Sequence, residues 1–228
     1  AALGAALLAS AQLGDDPRAA SYPVALGPDA GDVEAALRDF GQQPERPADL
    51  EARVADLIAQ GRVVGWVQGR LEVGARSLGR RSILADPTQV ALRDAVNARV
   101  KFREPWRPYA PSMTAAAARQ VLGHDRPRPH MIVADAVPEA QACRLAGVVH
   151  VDGTLRPQVV DPVEQPRYHR LLEAVGERIG VEAVLNTSFN LRGEPPVCTA
   201  RDALRTFVSS AMDAVAIGPF LLSKPPAR

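Results

Sequence analysis

The chain has 228 residues, of which 46% are hydrophobic and only 4% aromatic, and its net charge is +1. That length suits one large domain with an aliphatic core, and the near-neutral charge argues against a nucleic-acid coat or an acidic solvating tail. Two cysteines, Cys143 and Cys198, cannot form a disulfide framework, and no apolar run approaches the roughly 20 residues of a membrane helix.

In chain order, AALGAALLAS lacks the basic flank of a signal peptide and reads as a helix cut in its middle. The chain is therefore expected to be part of something longer, and to be cytoplasmic with no membrane or nucleic-acid partner. Residues 13–30 are polar, punctuated by Gly and Pro, and predict a linker. A short helix is expected over 31–39. Leu50, Val54, Leu57 and Ile58 share one helical face, with Gly61 as the stop. RVVGWVQG predicts a buried strand continuing through LEV.

Asp86 as N-cap, Pro87 and Gln89 predict a helix running to about Val100. Another is expected over 112–122, capped by Ser112. HMIVADAV reads as a strand, and VVHVDGTLRPQVV as a hairpin with Asp152-Gly153 at its tip. Tyr168, Leu171, Leu172, Val175 and Ile179 define an amphipathic helix ended by Gly180. EAVLNTSF predicts a buried strand running into a turn. Thr199 and Asp202 form a capping box for a helix to about Ser210, and DAVAIG and FLL close the chain as strands. The interleaving predicts an α/β (α+β) domain on a twisted, mixed sheet with flanking helices.

Charge is concentrated. Residues 76–107 hold eight basic and three acidic side chains, a local charge of +5 in a chain of net +1. Guanidinium forks beside Gly74 and Gly79 suit a polyphosphate; the plain alternative is a solvated helix face, the reading given to Arg93 and Arg99. Only Lys101 and Lys224 are lysines among the 27 basic residues, so a Lys inside KFREPWRP asks for a reason. With Pro105 and Pro108 following, Lys101 and Arg103 are expected on extended backbone, pointing to one side, with Arg107 beside them. Three cations converging on one patch call for an anionic ligand. Asparagines are equally scarce: Asn97, Asn186 and Asn190. In NTSFN, Ser188 and Asn190 can face a ligand together at a strand's carboxyl end; alone they are as well explained as turn formers. The four histidines have no metal-ligand spacing, and no dinucleotide fingerprint, Walker loop or nucleophile elbow occurs.

GRLEVGARSLGRRSILADP, NARVKFREPWRPYAPS, LNTSFNLRGEPPVCTARDALRTF and DAVAIGPFLL, in that order, resemble the C-terminal, YrdC-like domain of the carbamoyltransferases, which carbamoylate hydroxyl groups of nodulation factors and of antibiotics. The resemblance covers about residues 24–222. It implies a basic concave pocket and a KxR…SxN signature at Lys101, Arg103, Ser188 and Asn190, with Arg76, Arg107, Arg156 and Asn186 gripping carbamoyl phosphate or nucleotide. It also implies ATP with Mg²⁺ as cosubstrate, carbamoyladenylate as product, and transfer in a separate N-terminal, metal-holding, actin-like ATPase-type domain. Of that domain residues 1–23 would be the last helix and linker, so its metal ligands lie outside this chain. Ala75 and Ser77 depart from the Pro and Ala usual in the family. Two alternatives use the same pocket: a threonylcarbamoyladenylate synthase acting in tRNA modification, and a non-catalytic nucleotide- or RNA-binding module.

Overall fold

The computed structural model describes residues 2–16 and 24–225. Residues 17–23 of the expected linker lie outside them. The alanine-rich segment forms helix α1 (Ala2–Gln12). Residues 24–28 are docked rather than linking: Val73 N donates to Val24 O at 2.7 Å, Gly27 N to Leu71 O at 2.8 Å, and Leu71 N to Pro28 O at 2.8 Å. LEV, expected to continue the first strand, does not extend it. It belongs to a loop that takes its hydrogen bonds from this segment.

A mixed seven-stranded sheet organises the rest, in the order β6-β3-β7-β2-β1-β8-β9. Its strands are β1 (Val64–Val67), β2 (Arg81–Ala85), β3 (Ala110–Met113), β6 (Gln158–Val159), β7 (Ala183–Ser188), β8 (Ala214–Ile217) and β9 (Phe220–Ser223). Strand β7 pairs antiparallel with both β2 and β3, with Ser188 opposite Ser82 and Asn186 opposite Ala110. Alternation along the strands feeds two apolar layers. Val64, Trp66, Leu84 and Val184 face helices α3 (Leu50–Ala59) and α7 (Pro166–Ile179). Val67, Ile83, Leu185 and Val215 face α2 (Val33–Asp39), α5 (Ala115–Leu122) and α8 (Ala200–Val208). The stripe of α7 buries Leu171, Leu172 and Val175 completely, each worth about 2 kcal/mol of transfer free energy. The predicted caps hold here: Gly180 is left-handed at the end of α7, and Thr199 with Asp202 closes a reciprocal capping box on α8.

Four local expectations are corrected. Ser112 does not cap α5: it lies in β3, its hydroxyl donating to Gln158 Oε1 at 2.7 Å, and Thr114 is the cap. Asp86 does not cap the next helix directly: its carboxylate accepts from Thr88 and Gln89, and α4 (Val90–Ala95) starts only after them. HMIVADAV contributes just β4 (Asp135–Ala136), since Ile132 is exposed and Met131 is left-handed. Asp152-Gly153 does turn the chain, but residues 148–151 before it form no strand, so there is no hairpin; after the turn β5 (Thr154–Leu155) pairs with β4, while β6 joins β3 in the main sheet. A short helix, α6 (Glu139–Ala142), links β4 to this turn.

Candidate functional site

After α4 the backbone loosens into a π-helical turn, Val96–Lys101, and Phe102 then reverses it with φ 46° and ψ 50°. Lys101 and Arg103 therefore do not share a side through extended backbone, as the sequence suggested. The left-handed Phe102 separates them: Lys101 turns down toward β7, while Arg103 turns back over Tyr109. π-turns and non-glycine left-handed residues gather at functional positions.

Lys101 is 7% exposed. Its ammonium donates to Ser188 O at 2.9 Å, Asn190 O at 2.8 Å and Asn190 Oδ1 at 2.7 Å, with Ser188 Oγ at 3.4 Å. An ammonium has three hydrogens, so all of them are used in holding the turn that follows β7. Ser188 Oγ also donates to Asn190 Oδ1 at 2.7 Å, and Asn190 Nδ2 to Glu194 O at 2.6 Å. Lys101, Ser188 and Asn190 thus form one clasp. Burial, and then the like charges of Arg103 and Arg107, push the Lys101 ammonium down to about 7.

Above the clasp lies a cavity of about 250 Å³ lined by Arg76, Arg103, Arg107, Arg156, Asn186 and Ser188 together with Ser77, Tyr109 and Thr187; no carboxylate lines it. It shares Ala75, Arg76, Ser77 and Ser188 with a neighbouring lobe of about 520 Å³ that reaches Glu72, Asn190 and Pro195. Seven of the eight expected residues therefore line one cleft, and Lys101 supports its floor. Arg103 stacks its guanidinium over the Tyr109 ring at 4.1 Å. Burial, reinforced by Arg107, pulls Arg103 below its usual range, as burial beside Arg76 does for Arg156. Burial lifts Tyr109 to about 12, so its ring is neutral beneath the arginine. Arg107 has Glu104 at 3.9 Å, whereas Arg76, Arg103 and Arg156 have no carboxylate within ion-pair distance among the described residues, so their mutual repulsion favours an anionic ligand in the cavity. A groove of about 570 Å³ between α5 and α7 is larger, but Glu173, Glu177 and Glu182 edge it, so it would repel the same ligand.

The wall that carries Arg76 is pinned by Glu72, which no sequence argument singled out. Its buried Oε1 accepts from the backbone N–H groups of Leu78 at 2.8 Å, Arg80 at 3.3 Å and Arg81 at 3.2 Å. Asn186 joins this wall to the sheet, donating from Nδ2 to Ser77 O at 3.1 Å and Ser112 Oγ at 2.8 Å. Two basic residues counted with the charged segment serve the fold instead. Arg81 is fully buried and donates to the carbonyls of Cys198, Gly69 and Arg80 at 3.0–3.1 Å, and Arg80 reaches Glu164 O at 3.3 Å. Arg93 pairs with Asp94, as a solvated residue would. Tyr109 and Asn97 were also missed as partners of Arg103; the rarity of asparagine was the available signal for Asn97.

Among the described residues no helix is long and apolar enough to cross a membrane. In overall shape the chain is similar to P. abyssi Sua5 crystallised with L-threonine, with a TM-score of 0.53 at 15% identity over 76% of this chain and 48% of that one. That likeness concerns the fold alone. Nodulation protein NolO of Bradyrhizobium diazoefficiens is 40% identical over 99% of this chain and 43% of its own length. Nodulation protein NolNO of Sinorhizobium fredii is 42% identical over 98% of the chain and 34% of its own length. The 3′-hydroxymethylcephem-O-carbamoyltransferase of Streptomyces clavuligerus is 40% identical over 68% of the chain and 29% of its own length. The chain thus spans less than half the length of these curated relatives. Residues 55–224 match the family model for the carbamoyltransferase C-terminus, and the chain belongs to that carbamoyltransferase family.

Proposed function

We propose that this domain binds carbamoyl phosphate and ATP and forms carbamoyladenylate, for transfer to a hydroxyl group by an acceptor-binding domain outside residues 1–228. The observation that carries the reading is the cavity ringed by Arg76, Arg103, Arg107 and Arg156 with no carboxylate in its lining. Family membership and the printed activity of the cephem O-carbamoyltransferase support the carbamoyl group as cargo.

The chemistry asks little of a protein base. Water divides carbamoyl phosphate into carbamate and phosphate. A carbamate oxygen then attacks the α-phosphorus of ATP, and the bond to the bridging oxygen of pyrophosphate breaks. Carbamate is already a nucleophile, so the residues of the cleft act by orientation and by neutralising charge that develops on phosphate oxygens. In this reading the arginines grip the phosphates. The turn held by Lys101 presents the Ser188 hydroxyl beside them, and the Asn186 amide stiffens the wall. Guanidinium, amide and hydroxyl donors fit phosphate rather than a metal cation. Mg²⁺ would therefore enter on the nucleotide, and no residue of this cleft is assigned to it.

The test is the product pattern of the full chain with ATP and Mg²⁺. AMP and pyrophosphate that appear only with carbamoyl phosphate support the reading. ADP and phosphate, or stimulation by threonine and bicarbonate in place of carbamoyl phosphate, would refute it.

A further inference from the structure

Asn97 is the one asparagine of the three that does not line the cleft. It is 1% exposed, in the first turn of the π-helical segment, between the core residues Val96 and Val100. Its side chain has a single partner among the described residues. Asn97 Oδ1 accepts from Arg103 Nε at 2.7 Å, and since Nε can only donate, this assigns the oxygen. Its backbone carbonyl accepts the N–H of Phe102, and that of Arg103 at 3.2 Å. Asn97 therefore holds Arg103 by both main chain and side chain. Asn97 Nδ2 is buried without a partner among the described residues. An apolar residue of similar size would fill the position without that unsatisfied donor, so packing alone does not account for an amide here.

The remaining contacts of Arg103 complete its placement. Tyr109 lies beneath the guanidinium, and Nη2 makes a long contact to Pro108 O at 3.4 Å. With Nε taken by Asn97, the Nη groups carry the remaining N–H donors of a side chain that lines the cavity. A carboxylate could accept the same hydrogen bond, but it would neutralise the charge the cleft needs; the neutral amide fixes the direction and leaves the charge.

We propose that Asn97 is a positioning residue, which orients Arg103 so that its Nη edge meets the phosphate of the substrate without contacting substrate itself. This rests on reading the cleft as a phosphate site. The experiment uses the full chain, with inorganic pyrophosphate as probe for binding and ¹⁵N-labelled arginine for the Arg103 Nε–H resonance. Wild type should show that proton protected from exchange, Asn97→Ala should lose the protection, and Asn97→Asp should keep it. Pyrophosphate should bind roughly 10- to 100-fold more weakly to Asn97→Ala, the loss expected for a hydrogen bond to a charged group. In an Arg103→Ala background the Asn97→Ala change should cost nothing further. Additive losses, or a protected Nε–H in Asn97→Ala, would overturn the proposal. If Asn97→Ala does not fold, Asn97→Asp decides. Retained protection with affinity reduced about 10-fold agrees, and unreduced affinity contradicts. If wild type binds no pyrophosphate, the phosphate-site reading fails, and the Nε–H resonance still reports whether Asn97 holds Arg103.

Discussion

Replacing Lys101 with Met separates stability from ligand binding. Burial and two neighbouring guanidinium groups lower the ammonium from 10.5 to about 7. At 1.36 kcal/mol per unit, the charged form is then less stable in the folded than in the unfolded chain by about 5 kcal/mol. The folded pKa lies below the unfolded one. That penalty is therefore fully present below pH 7 and is lifted as pH rises from about 7 toward 10.5, because the unfolded state binds the extra proton there. Lys101→Met removes the penalty. It also removes hydrogen bonds to Ser188 O, Asn190 O and Asn190 Oδ1, and an unsatisfied buried acceptor costs about 1–3 kcal/mol. The two effects offset, so at pH 7 the variant should unfold within about 2 kcal/mol of wild type while losing at least tenfold in ATP affinity. Urea titrations between pH 6.5 and 10 provide the assay. The stability of wild type relative to the variant should grow on the order of 1 kcal/mol per pH unit above 7. A difference that stays flat with pH, or unchanged ATP affinity, would refute the reasoning.

The arginines should divide by location. Arg76→Ala should leave thermal stability nearly unchanged and weaken pyrophosphate binding roughly tenfold or more, whereas Arg81→Ala, which strips a fully buried guanidinium from its carbonyl acceptors, should destabilise by about 3 kcal/mol or more in urea. Glu72→Ala should cost about 2–4 kcal/mol by freeing three backbone N–H groups at once, and Glu72→Gln, which keeps an acceptor oxygen, clearly less. Gly79→Ala should be poorly tolerated, since its φ is +89° and a Cβ would lie 2.3 Å from the Tyr168 ring; a loss under about 1 kcal/mol by thermal melt would contradict that packing.

What the sequence disclosed followed from local signals. The stripes of α3 and α7, the capping box of α8 and the strand before NTSFN each carry their own periodicity or punctuation. The failures arose where distant residues decide. RSILA gave no recognisable strand pattern, because Arg81 at its start is buried through carbonyls of residues 28, 69 and 198. Ser112 was expected to cap α5, but the distant Gln158 and Asn186 claim its hydroxyl, and Thr114 caps the helix instead. MIV suggested a strand interior, yet Ile132 is exposed. Lys101 and Arg103 do not share extended backbone, because Pro105 and Pro108 exclude a helix downstream of Glu104 but do not govern Val96–Lys101, where the π-turn forms.

The central claim is that this cleft joins a carbamoyl-derived carboxylate to the α-phosphate of ATP. Exchange of labelled pyrophosphate into ATP by the full chain, with and without carbamoyl phosphate, tests it most directly. Exchange that requires carbamoyl phosphate and is lost in Lys101→Ala is the predicted result; exchange that proceeds without carbamoyl phosphate, or survives unchanged in Lys101→Ala, would contradict it.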